Sequence, residues 1–187
     1  MFRRPTLLIY PSILAIALAF GVTANAQEIT TPQFEIGASY SWLHFNSADD
    51  VYHRTESGGS GYVEYNINNA LGLVADFGGY ANTRSGINDD TMTYLFGPRF
   101  NWRHSRLTPY VQFLFGGAYA WTPGGPSQNG FAIAAGGGLD YQVNHLLSIK
   151  PIQVEYVMTE IPSALGFGSN QNGLRYSAGV VLRLGAK

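Results

Sequence analysis

A histidine base, a hydroxyl and a carboxylate together can attack an acyl or phosphoryl centre, and this chain sets all three close in sequence once. His44 and His53 bracket Ser47, Asp49 and Asp50, which is the minimum set for nucleophilic catalysis. The same residue types fill any solvated loop, and that plainer reading is preferred, so no catalytic residue is assigned. His104 precedes Ser105 and His145 stands apart, both in short turns. Asp49-Asp50, Asp89-Asp90 and Glu160 offer hard oxygens of the kind that hold calcium or magnesium. Their spacing matches no dedicated ion loop, so no metal is assigned. Gly58-Gly59-Ser60-Gly61 and Gly136-Gly137-Gly138 lack the lysine and following helix of a phosphate loop. The chain has no cysteine, which excludes disulfides, thiolate metal sites and a cysteine nucleophile. No cofactor is expected.

The remaining charges follow a period rather than a motif. Five acids (Glu35, Glu64, Asp76, Asp140 and Glu155) and five bases (Arg99, Arg103, Lys150, Arg175 and Arg183) fall on one face of segments that alternate with period two. The opposite face carries Phe34, Trp42, Val63, Phe77, Phe96, Phe113, Phe115, Ile133 and Leu182. Only 12% of residues are charged, about half the usual share for a soluble domain. The formal net charge is −1 and the basic residues do not cluster, so no nucleic-acid partner is expected. With 11 Phe, 12 Tyr and 3 Trp, the chain is far from the composition of a disordered protein.

Eight alternating segments are predicted, at 33–45, 60–67, 71–82, 91–103, 109–122, 130–143, 147–159 and 173–184. Most are long for globular strands and suit tilted strands that cross a bilayer. In the seventh, Lys150 shares the polar face with Gln153 and Glu155 only if the phase slips once, so a β-bulge is expected at Pro151. The connections alternate between long (46–59, 83–90, 123–129, 160–172) and short (68–70, 104–108, 144–146). That asymmetry is typical of transmembrane barrels and places both chain ends on the short-turn, periplasmic side. A bilayer inverts the ordinary arrangement, with apolar side chains outside, polar ones in the lumen, and every strand hydrogen bond satisfied by closure. Tyr40, Trp42, Trp102, Tyr119 and Trp121 lie near strand ends, where interfacial aromatics are expected. The fold class read from these patterns is all-β, an eight-stranded antiparallel up-and-down transmembrane β-barrel. Its inward charges are expected to pair as filler, since eight strands enclose little beyond side chains; the alternatives are an ion path and a catalytic carboxylate pair.

The first 26 residues read as a cleaved secretory signal. A basic Met1-Phe2-Arg3-Arg4 start leads into an apolar run from Leu7 to Phe20, then Ala24-Asn25-Ala26. Cleavage is expected between Ala26 and Gln27, leaving residues 27–187 as the barrel domain. The apolar run is shorter than the ~20 residues of a spanning helix.

The chain resembles the eight-stranded outer-membrane barrels of the OmpA/OmpX type over residues 27–187. The resemblance is carried by Gly72-Leu73-Val74-Ala75-Asp76-Phe77-Gly78-Gly79-Tyr80, Tyr94-Leu95-Phe96-Gly97-Pro98-Arg99-Phe100, Pro109-Tyr110-Val111-Gln112 with Gly116-Gly117, and Arg175-Tyr176-Ser177-Ala178-Gly179-Val180-Val181. It implies a protein of a Gram-negative-type outer membrane with a plugged or narrow lumen. The implied partners are outer-membrane lipids, lipopolysaccharide and the barrel-assembly machinery. The chain departs from the longer relatives in showing no peptidoglycan-binding domain. It also ends Leu184-Gly185-Ala186-Lys187, where such barrels often end in an aromatic residue. The functional expectation is a non-enzymatic structural or adhesion-type surface protein whose surface ligand is not legible. The alternatives are a narrow channel for small or hydrophobic solutes and a lipid A-modifying enzyme.

Overall fold

The computed structural model describes residues 31–46, 53–84, 87–121, 127–162 and 168–186. Eight strands follow in chain order: β1 (Pro32–Asn46), β2 (His53–Asn66), β3 (Leu71–Arg84), β4 (Ile87–Asn101), β5 (Leu107–Trp121), β6 (Gln128–Gln142), β7 (Leu147–Pro162) and β8 (Gly168–Ala186). Each pairs antiparallel with its sequence neighbour, and β1 pairs with β8 from Pro32↔Ala186 to Asn46↔Asn172, so the sheet closes into a barrel. Closure leaves no strand edge unpaired, the condition for a sheet in hydrocarbon.

The alternation read from the sequence sets the two faces. Phe34, Trp42, Val63, Phe77, Phe96, Phe113, Phe115 and Leu182 are exposed on the outer wall. Their neighbours one residue along are buried in the lumen, which reverses the arrangement of a water-soluble barrel. T-shaped pairs strengthen the belt, with ring centroids of Phe77 and Phe96 5.9 Å apart.

Strand β7 carries the expected bulge. Lys150 pairs with Gly179 and Gln153 with Ser177, so β7 spends one residue more than β8 over this step. The ladder to β6 slips at the same place, between Leu139↔Ile152 and Tyr141↔Ile149. Pro151 and Ile152 both face outward, and Ser148, Lys150, Gln153 and Glu155 all face the lumen. Proline has no N–H to give a ladder, and a bulge is where its absence costs least.

The predicted loop alternation is corrected. Strands run past the apolar stretches at the far end, with Asn82↔Asp89, Thr83↔Asn88 and Arg84↔Ile87 still paired. β2 likewise begins at His53 and β8 at Gly168. The intervals between strands become 47–52, 85–86, 122–127 and 163–167 at this end, against 67–70, 102–106 and 143–146 at the other. Beyond the hydrocarbon neither face must be apolar, so the hydropathy pattern lapses while backbone pairing continues.

The short turns are built alike. Asn68 Oδ1 accepts from the N–H groups of Ala70 and Leu71, and Asn144 Oδ1 accepts from those of Leu146 and Leu147. Asn side chains close such turns by satisfying backbone donors two and three residues on. The third turn is tighter. His104 and Leu107 exchange two backbone hydrogen bonds of 2.8 and 2.9 Å around Ser105-Arg106.

Candidate functional site

All ten charged residues expected inside the barrel face the lumen and are buried. Six of them, Glu64, Asp76, Arg99, Lys150, Glu155 and Arg175, are linked in one network. Arg99 Nη1 donates to Glu64 Oε2 at 2.8 Å, and Arg99 Nε donates to Gln112 Oε1 at 2.7 Å. Gln112 Nε2 passes the chain on to Glu155 Oε1 at 2.6 Å. Arg175 Nε donates to Glu155 Oε2 at 2.7 Å, while its Nη1 reaches Asp76 Oδ1 at 3.0 Å and the Tyr80 hydroxyl at 2.9 Å. Gln153 Oε1 accepts from both Lys150 Nζ and Tyr110 OH, each at 2.8 Å. Charged partners make these bonds short and strong, and mutual pairing is what allows so many ions in a dry space.

Two tyrosines complete this middle layer. The Arg99 guanidinium carbon lies 4.5 Å from the Tyr62 ring centroid and 4.3 Å from that of Tyr110, and Lys150 Nζ lies 4.0 Å from the Tyr62 centroid. Cation–π contacts of this kind gain strength where water is excluded. The rings fit because glycines face them. A Cβ on Gly37 would strike the Tyr62 ring, and one on Gly138 would strike the Tyr110 hydroxyl.

Nearer the short-turn mouth, Arg103 Nη2 donates to Glu35 Oε1 at 3.2 Å and to Asn66 Oδ1 at 3.0 Å. Arg183 Nε stands 3.5 Å from the same Glu35 oxygen. Asp140 sits opposite the β7 bulge, between Leu139↔Ile152 and Tyr141↔Ile149. Toward the other end the lumen turns mostly apolar. There Leu43, Leu95, Leu114, Ala118, Ala132, Ala134 and Val157 are part of one buried cluster, with the buried Glu56, Thr93 and Thr159 beside them.

Glu56 is a sixth lumenal acid, 2% exposed, where the hydropathy pattern predicts a loop. The glycines at 58, 59 and 61 hid the alternation of β2; its partner Leu43, inward on β1, supplied the only available signal. Of the interfacial aromatics, Tyr40, Trp42 and Trp102 are exposed at 50%, 48% and 57%. Tyr119 is half-buried. The Trp121 side chain lies outside the described residues, as do Ala26, Gln27, Ser47, Asp49, Asp50 and the side chains of His53, Asp89 and Asp90. His44 follows inward Leu43 and so takes the outward register. His104 and His145 are exposed in the short turns. Among the described residues, no three of His, Asp and Glu converge as a metal ion would require.

A family model described as "Outer membrane protein beta-barrel domain" matches residues 12–186. The chain belongs to this outer-membrane β-barrel family. Family membership places it in the bacterial outer membrane. No curated protein sequence matches it significantly. Among solved structures it is similar to Neisserial surface protein A, with a TM-score of 0.66 and 16% identity over 81% of this chain and 97% of that one. It is also similar to Ail, the attachment invasion locus protein of Yersinia pestis, with a TM-score of 0.55 and 16% identity over 82% and 99%. A third likeness is OprG of Pseudomonas aeruginosa, with a TM-score of 0.57 and 12% identity over 84% and 98%. At these identities the likeness is one of fold. The outer-membrane barrel fold explains the inverted faces directly, since the exposed aromatic belt is solvated by lipid.

Proposed function

We propose that this outer-membrane barrel is a non-enzymatic protein with a filled lumen, which stabilises the envelope and presents the end away from the start of β1 and the end of β8 at the cell surface as adhesion-type barrels do. The observation that carries this reading is the lumen, where the chain Glu64–Arg99–Gln112–Glu155–Arg175–Asp76 continues into the apolar Leu43, Leu95 and Leu114 cluster. A permeating ion would have to break paired charges and then pass a layer dominated by buried apolar side chains, with Glu56, Thr93 and Thr159 among its polar members. β1 begins and β8 ends at the short-turn end, which on this reading is periplasmic, and residues 1–26 act as the export signal. Lipopolysaccharide surrounds the outer half, and the barrel-assembly machinery inserts the chain.

Planar-bilayer recording of the refolded 27–187 chain tests this, paired with a gel comparing heated and unheated samples. The expected result is a heat-modifiable band and no steady conductance. A second reading, a narrow channel, draws on the polar character of the short-turn half of the lumen, and reproducible openings would establish it in place of the first. Unchanged lipid A mass spectra on deletion of the gene are expected, and a lost modification would point to an enzyme.

A further inference from the structure

Among the side chains described, the exposed charge at the short-turn end is of one sign. Arg106 is exposed there, and the exposed His104 and His145 lie in the same pair of turns. Glu35 and Asp140, acids of this end, are buried in the lumen, and the exposed Glu160 lies at the opposite end. Backbone pairing sets the two turns side by side, since the N–H of Gln142 donates to the carbonyl of Arg106 at 2.7 Å. Trp102, at the start of the same turn as Arg106, Leu107, next to Arg106 in the chain, and Leu146, next to His145, are 57%, 45% and 52% exposed. An indole and leucines held at the end of a lipid-facing wall belong at the headgroup level rather than in water.

We infer that the turns 102–106 and 143–146 form a headgroup site for an anionic phospholipid of the leaflet they border. Arg106 binds the phosphodiester through its planar fork of N–H donors, the histidines flank it, and Trp102 and the leucines pack against the glycerol and upper acyl segments. The lipid belt of the barrel runs without a break into this rim, and its charge is complementary to a phosphatidylglycerol-type headgroup. The inference rests on the membrane-barrel reading above.

The test is native mass spectrometry of the refolded 27–187 chain, titrated with phosphatidylglycerol and with phosphatidylcholine of identical acyl chains. The wild-type barrel is expected to retain phosphatidylglycerol in preference. Arg106→Ser should lower that preference roughly fivefold, the scale of one basic residue at a membrane surface, with Arg106→Lys keeping most of it. The double variant His104→Ser/His145→Ser gives an independent reading and should weaken it less. Glu160→Lys, at the far end, should leave it unchanged. Equal retention of both lipids, an unaltered preference in Arg106→Ser, or an equal response to Glu160→Lys would overturn the site while leaving the barrel intact. A chain that never reaches the heat-modifiable form would overturn the barrel reading as well.

Discussion

Arg99 is 1% exposed and holds Glu64, Gln112 and the faces of Tyr62 and Tyr110 together. Removing one member of a buried ion pair leaves the other charge uncompensated, at a cost of ~3–5 kcal/mol. Arg99→Glu adds a second acid beside Glu64 and should lose at least that much, measured as the urea midpoint in detergent micelles. Arg183→Glu should lose less, because its ion pair with Glu35 is longer and Arg103 also holds that carboxylate. Wild-type midpoints in both variants would contradict the lumenal network. Gly37→Val tests the packing around the same centre. It drives a branched side chain into the Tyr62 ring and should cost about 1–3 kcal/mol by overpacking. These residues were legible as a face, since strict alternation assigns a side to each. Their partners were not, because Arg175 meets Asp76 across the lumen from ninety-nine residues away in the chain.

Strand β7 shows how much an element can reveal before it folds. A proline between Lys150 and Gln153 and a change of phase together predicted an irregularity, and both of β7's ladders slip there. Deleting Pro151 restores two residues against two on both ladders and keeps Ser148, Lys150, Gln153 and Glu155 inward. The deletion should therefore fold, with its heat-modifiable band retained. Deleting Ala38 from the regular strand β1 should abolish that band, because one half of the strand would turn its lumenal face to lipid. Ser105 offers a milder test. It takes a φ of 53° in a two-residue turn, a left-handed value that costs an L-residue about 1–2 kcal/mol. Ser105→Gly should raise stability, by less than ~1 kcal/mol once the greater freedom of glycine in the unfolded chain is counted. The far ends of the strands were misread for a physical reason. Hydropathy records where hydrocarbon lies, whereas hydrogen-bonded pairing continues into the headgroups and beyond.

At the scale of the whole molecule, stability depends on the solvent outside matching the wall. Phe77 is 54% exposed near the middle of β3, so Phe77→Arg should destabilise the barrel by ~2–4 kcal/mol in a phospholipid bilayer. Reversible urea unfolding from vesicles would measure it, and a loss under ~1 kcal/mol would place Phe77 outside the hydrocarbon. The eight-fold alternation, the belt of aromatics and the scarcity of surface charge were enough to imply strand number, antiparallel order and the inverted faces, since each follows from period two and a fixed solvent. Which acid pairs with which base, how Tyr62 and Tyr110 share Arg99, and that Glu56 joins the lumen depended on the register of closure. A period of two gives every residue a side but not a height, and only the stagger of eight tilted strands brings particular heights together.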